Sequence, residues 1–237
     1  MKALIIGGTK GFGKEVTSSF RRREYEVITV GRSCIESERH YACDVGIMDC
    51  WESTLDRIAA EHPRLDALAC VVGYARAKHC DDLSFVDWIE HFNRNTIYVG
   101  LAFSKLAEVV RIGRVITVGS QWSYKTGCDE LVPYTQAKHA LRSLTRDFAI
   151  REGIKANHFC VPTMDTPGYR DVRASFEAMR EGSFDGFMQE LANPTSVSER
   201  LVEKALTTYA AGSTFVVPPD DEVWELLHPP AEINHMI

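Results

Sequence analysis

The chain opens on Lys2-Ala3-Leu4-Ile5-Ile6, a short apolar run suited to a buried strand. It passes at once into Gly7-Gly8-Thr9-Lys10-Gly11-Phe12-Gly13. A helix-compatible stretch follows to Arg23. Strand, glycine-rich turn and helix in direct succession bring backbone N–H groups and a helix N-terminus to one point, an arrangement that receives a pyrophosphate. The glycines run Gly-x3-Gly-x-Gly, a cluster that alone could be an ordinary tight turn. Its place inside the first strand–helix unit argues for a dinucleotide site instead. A second strand, Glu26-Val27-Ile28-Thr29-Val30, ends at Gly31-Arg32-Ser33. An NAD site would carry an acidic side chain near this point for the ribose hydroxyls. Arg32 and Ser33 stand there instead, a guanidinium fork and a hydroxyl suited to a 2′-phosphate, and Lys10 adds a second positive charge. The expected cofactor is NADP(H), the alternative being that Arg32 is a solvated loop residue.

Strands and helices alternate beyond this unit, which implies an α/β doubly wound Rossmann fold, a parallel sheet of about seven strands with helices on both faces. Further strands are expected at 39–43, 67–72, 114–118, 155–160 and 214–217, and helices at 49–62, 87–110 and 134–152. No repeat, linker or low-complexity tract divides the 237 residues, so a single nucleotide-binding domain over 1–237 is expected. The segment Thr166–Pro194 breaks the alternation, with Tyr169, Phe176, Met179, Phe184, Phe187 and Met188 among charged residues. Lying after the sixth strand, it is expected to be a helical cover over a substrate, or else a helix sealed onto the body.

Tyr134 and Lys138 stand at i and i+4 in the last of these helices and so share one face. A free phenol titrates near ~10, and a neighbouring ammonium favours the phenolate and lowers that value. Ser120, at the end of the strand beginning at Arg114, supplies a hydroxyl that can hold a carbonyl oxygen while the tyrosine gives or takes a proton. Gln121, Trp122, Ser123 and Tyr124 follow that serine, and a pocket wall of aromatic and amide groups is expected there. Gln121, Trp122 and Tyr169 are the candidate substrate contacts.

A net charge of −6 speaks against general nucleic-acid binding. No apolar run is long enough to cross a bilayer, and the N-terminal apolar run reads as a core strand, not a signal peptide; a cytoplasmic protein is expected. Seven cysteines and eight histidines show no metal-ligand spacing. Cys70 and Cys160 lie in strand-like runs and read as core. No metal is expected.

Taken together these features resemble the short-chain dehydrogenase/reductase family in its common form, along Lys2 to about Pro218. Gly7, Gly11 and Gly13 match its glycine motif, with Ile6 where a threonine is usual. Asp44-Val45, Asn95, Ser120 and the Tyr134-x-x-x-Lys138 pair follow in the family's order. The resemblance implies reversible carbonyl reduction with Asn95, Ser120, Tyr134 and Lys138 as catalytic residues. It implies a cofactor held by Gly7, Thr9, Lys10, Gly11, Phe12, Gly13, Arg32, Ser33, Asp44, Val45, Val72, Gly73, Tyr134, Lys138, Met164 and Thr166. Lys138 would lower the tyrosine pKa, and Asn95 would help hold a proton-relay water. A homodimer or homotetramer is implied as well. Two departures mark an atypical member: Cys70-Val71-Val72-Gly73 replaces Asn-Asn-Ala-Gly, and the closing glycine pair is missing near Pro218. An epimerase or dehydratase on the same scaffold, or a non-catalytic NADP-sensing protein, remain the alternatives.

Overall fold

The computed structural model describes residues 1–32, 39–179, 191–219 and 225–228. Apolar strand sequences buried on both faces must lie side by side in parallel, with helices above and below. The order along the chain is β1 (Lys2–Ile6), α1 (Gly11–Arg22), β2 (Glu26–Gly31), β3 (His40–Ala42), α2 (Met48–Glu61) and β4 (Ala67–Cys70). Then come α3 (Phe85–Phe92), α4 (Tyr98–Leu106), β5 (Arg114–Ser120), α5 (Val132–Glu152) and β6 (Lys155–Val161). The described chain ends with α6 (Pro167–Met179), α7 (Pro194–Thr207), β7 (Thr214–Val216) and β8 (Glu225–His228). One sheet runs β3-β2-β1-β4-β5-β6-β7-β8. The first seven strands are parallel, as expected, and β8 adds an antiparallel edge beside β7. The chain leaves β1 in one direction for β2 and β3, then returns to place β4 on the other side of β1. A crevice opens at that reversal, beyond the carboxyl ends of the strands.

The period-2 pleat assigns the core. Leu4 and Ile6 face α2, α4 and α5, where Trp51, Leu55, Tyr98, Phe103 and Phe148 fill one layer. Ala3 and Ile5 face the other way, against Phe12, Val16 and Phe20 of α1 and Val197, Leu201 and Val202 of α7. Helix α7 was not among the expected elements. Its start is nonetheless written in the sequence: the Asn193 side chain accepts from the Thr195 and Ser196 amides, and Pro194 opens the first turn. The expected helix 87–110 is helical from Phe85 to Leu106 but not uniform. A π-helical turn, Asn93–Ile97, separates α3 from α4 and admits an extra residue into the ladder. No described helix is long and apolar enough to cross a membrane.

The glycine turn sets how closely α1 can lie on β1. Gly7 has φ +89°, in the left-handed region that favours glycine, and a Cβ on Gly13 would fall 2.0 Å from the Gly7 carbonyl oxygen. Gly13→Ala should therefore push α1 off the sheet and destabilise the protein by about 1–3 kcal/mol or more. Gly168→Ala, whose new methyl meets nothing within 4 Å, should stay within about 0.5 kcal/mol of the unmutated chain. Urea denaturation midpoints check both.

Candidate active site

The crevice at the reversal is a cleft of about 710 Å³. Gly7, Thr9, Lys10, Gly11, Phe12 and Gly13 line one end, joined by Arg32 at the end of β2 and by Asp44 and Val45 after β3. Val72, Gly73, Met164 and Thr166 line its middle. Ser33 lies outside the described residues. Helix α1 begins after Lys10 with no side-chain cap and no acidic residue in its first turn, so its N-terminal N–H groups are not neutralised from within the helix. Asp44 is already engaged: its Oδ1 accepts from the Gly46 amide at 2.9 Å and its Oδ2 from the Arg94 guanidinium at 3.2 Å. In place of the amide side chains usual after β4, Cys70 is fully buried in the core, and the Tyr98 hydroxyl donates to the Val72 carbonyl at 3.2 Å. Apolar packing and one phenol thus stabilise the strand end. A glycine-lined turn under an open helix N-terminus, with a guanidinium where an acid would repel phosphate, fits a dinucleotide.

Ser120, Tyr134 and Lys138 meet at the other end of the cleft. Ser120 closes β5, and its hydroxyl lies near enough to the Tyr134 phenol to favour the phenolate. Lys138 is 3% exposed, and its ammonium donates to the Val118 carbonyl at 3.1 Å. Its Nζ stands 5.9 Å from the Tyr134 ring centroid. Burial pushes the Tyr134 phenol up to about 12, against the lowering effect of the Ser120 hydrogen bond. The expected lowering by Lys138 is not found: the ammonium turns to a backbone carbonyl, and desolvation sets the direction of the shift. Burial also pulls Lys138 itself down to about 8. The site therefore holds a neutral phenol beside a weakened cation.

Asn95 sits in the π-helical turn, fully buried. Its Nδ2 donates to the carbonyls of Tyr74 (2.7 Å) and His91 (2.8 Å), and its Oδ1 accepts from the Tyr74 amide at 3.1 Å. Asn95 thus brackets the loop after β4 against the helix. A point beside Gly73, where a Cβ would stand, lies 3.7 Å from the Lys138 ammonium and 3.8 Å from the Asn95 amide oxygen. Both polar groups therefore converge on the open face of that glycine.

This end of the cleft is walled by Trp122, Leu131, Tyr169 and Val172, and by Tyr74 and Glu90. Gln121, expected in this wall, is not there. The tight turn Gln121–Ser123 sends its side chain to Thr163 Oγ1 at 3.5 Å and to the Lys125 ammonium at 3.1 Å. Ser123 is likewise turned inward and fully buried. Tyr74, whose hydroxyl donates to Glu90 at 3.1 Å, was missed by sequence reasoning; its place just after Gly73 is the one local signal for it. Helix α6 lies over this end: Phe176 is buried with Ala77, Cys128 and Leu131, and the Ala77 amide donates to Ser175 Oγ at 2.9 Å. Phe176 thus packs as a seal, while Tyr169 and Val172 face the cleft. Phe184, Phe187 and Met188 lie outside the described residues.

Comparison with known proteins agrees with this fold. The family model described as short chain dehydrogenase matches residues 1–176. Dehydrogenase/reductase SDR family member 6 of Aquarana catesbeiana is 25% identical over 178 residues, covering 71% of this chain and 73% of that protein. Among solved structures, a protein assigned as a NAD(P)-dependent gluconate 5-dehydrogenase from Beutenbergia cavernae, with NADP bound, superposes with a TM-score of 0.78. It is 20% identical and is matched over 92% of this chain and 95% of its own. A 3-ketoacyl-(acyl-carrier-protein) reductase from Brucella melitensis, complexed with NADH, gives a TM-score of 0.76 at 17% identity, over 91% and 96% of the two chains. At these identities the superpositions speak for the fold.

The depressed Lys138 has a consequence for stability. Between about pH 8, its value in the folded protein, and about 10.4, its ordinary value, the unfolded chain binds more protons than the folded one. Stability therefore rises with pH from this residue across that window and is unaffected by it below. Lys138→Met should remove this rise and stabilise the protein near neutral pH by a few kcal/mol. The difference between mutant and unmutated urea curves at about pH 7.5 and 9.5 measures it.

Proposed function

Given that the chain belongs to the short-chain dehydrogenase family, we propose that it is an NADP(H)-dependent oxidoreductase that reduces a carbonyl of a small molecule, or oxidises the corresponding secondary alcohol. The observation that carries this reading is the meeting of Ser120, Tyr134 and Lys138 in one cleft with the glycine turn. NADPH, when bound, supplies the hydride; the chain binds, orients and moves the proton. The turn from Gly7 to Gly13 and the N-terminus of α1 receive the pyrophosphate. Arg32 takes the 2′-phosphate and Lys10 adds charge nearby. One structural neighbour holds NADP and another NADH, so the choice of cofactor rests on Arg32.

At the reacting end, Ser120 donates a hydrogen bond to the carbonyl oxygen and stabilises the charge that develops there. Tyr134 gives that oxygen its proton. The neutral phenol holds the proton that reduction needs, and its phenolate takes that proton back in the oxidative direction. Lys138 places a positive charge beside Tyr134 and the open face of Gly73, where it steadies the phenolate left behind. Trp122 and Tyr169 present apolar faces that shape the substrate end and keep water from it.

Two experiments test this. Tyr134→Phe should abolish carbonyl reduction, a loss of at least about 10³-fold, while fluorescence titration shows NADPH still binding; turnover retained by this variant would refute the assignment. The unmutated chain should prefer NADPH over NADH by about 1.5–3 kcal/mol through Arg32. Arg32→Asp should erase or invert that preference in paired binding titrations, and equal affinities of the unmutated protein would end the NADP reading.

A further inference from the structure

Behind Ser120 the fold buries a second polar array that the proposed chemistry leaves unused. Thr117 and His158 are partners across β5 and β6. Thr145 reaches them from α5, and Ser123 from the turn after β5. All four are at most 1% exposed. The direction of every hydrogen bond in the array follows from its fixed end. The Leu141 carbonyl can only accept, so the Thr145 hydroxyl donates to it at 2.7 Å. Thr145 therefore accepts from the Thr117 hydroxyl at 2.8 Å. Thr117, its proton committed, accepts from His158 Nδ1–H at 2.8 Å. Nε2 of the neutral ring is left bare and accepts from the Ser123 hydroxyl at 3.1 Å. Ser123 Oγ in turn accepts the Ser120 amide at 3.1 Å. One tautomer satisfies every donor and acceptor along this path.

We propose that His158, as the neutral Nδ1–H tautomer, is a positioning residue that fixes the turn bearing Ser120 by holding Ser123, which holds the Ser120 amide. The inference rests on the reading of Ser120 as the group that bonds the substrate oxygen. Independent geometry supports it. A Cβ on Gly119 would fall 2.1 Å from His158 Nε2 and 2.5 Å from Ser123 Oγ, so only a glycine between Val118 and Ser120 leaves room for this contact. Burial, and the charges of Lys138 and Arg142, hold the imidazole well below its ordinary basicity, which keeps Nε2 free to accept. The same turn carries Trp122, whose amide donates to Ser120 Oγ at 3.4 Å. The path thus reaches the serine through its backbone, and the neighbouring turn meets its hydroxyl.

The test separates this claim from the catalytic reading. In protein labelled with nitrogen-15 histidine, the His158 ring, assigned by its loss in His158→Gln, should show a protonated Nδ1 and a bare Nε2 at about pH 7. An Nε2–H tautomer or an imidazolium overturns the proposal. Ser123→Ala should speed hydrogen exchange at the Ser120 amide by roughly 10-fold or more, the factor for one lost hydrogen bond. NADPH affinity should hold while kcat falls by a similar factor and KM changes little. If Ser123→Ala does not fold, Thr117→Val removes the Nδ1–H acceptor instead and should move the same readouts in the same direction. Exchange at Ser120 unchanged in the folded variant overturns the positioning role whatever the activity. The expected tautomer and exchange in a protein that reduces no carbonyl would overturn the catalytic reading and leave the hydrogen-bond path standing.

Discussion

Burial of the central strands on both faces is the constraint from which the rest follows. Leu4, Ile5 and Ile6 are fully buried, and a strand covered above and below has no lateral surface for chemistry. Polar work is driven to the strand ends, and the reversal between β1 and β4 decides which end opens. The glycine turn, Arg32, Gly73, Ser120 and Met164 all stand just past a strand terminus or close to one. Among the polar side chains inside the body, Thr117, Thr145 and His158 are tolerated because they bond one another and the Leu141 carbonyl.

The same burial governs the proton chemistry. It raises the phenol of Tyr134 and weakens the ammonium of Lys138, so both groups lean towards their neutral forms. Adjacency on one helix face would have pulled the two the other way, towards phenolate and ammonium. In this fold desolvation sets the direction of both shifts, with the ammonium 5.9 Å from the ring centroid.

What was legible in the sequence is what is local. The run from Lys2 to Gly13 and the Tyr134–Lys138 pair are contiguous patterns with fixed geometry, and the cleft contains both. Arg32 was legible because the second strand ends beside the first. Gln121 falls outside the cleft lining because a tight turn rotates successive side chains through directions that composition does not record. The Tyr74 and Glu90 wall arises only when a loop after β4 is bracketed to a helix by Asn95, a contact between distant parts of the chain. Helix α7 carried its signals, Asn193 and Pro194, but followed a stretch read as cover. His158 alternates on a strand and is silent until β5, α5 and the turn after β5 close around it.

The π-helical turn at Asn93–Ile97 makes chain length, as well as side-chain identity, a quantity held fixed in the helix that contains it. Each residue advances a helix by about 100°, so the additional residue there rotates everything on one side of the turn relative to the other. It is this rotation that lets Asn95 point at the loop after β4 while Tyr98, Val99 and Phe103 still meet the sheet. Between Trp88 and Tyr98, even with every side chain kept, loss or gain of a single position would turn one face of the helix away from its neighbour.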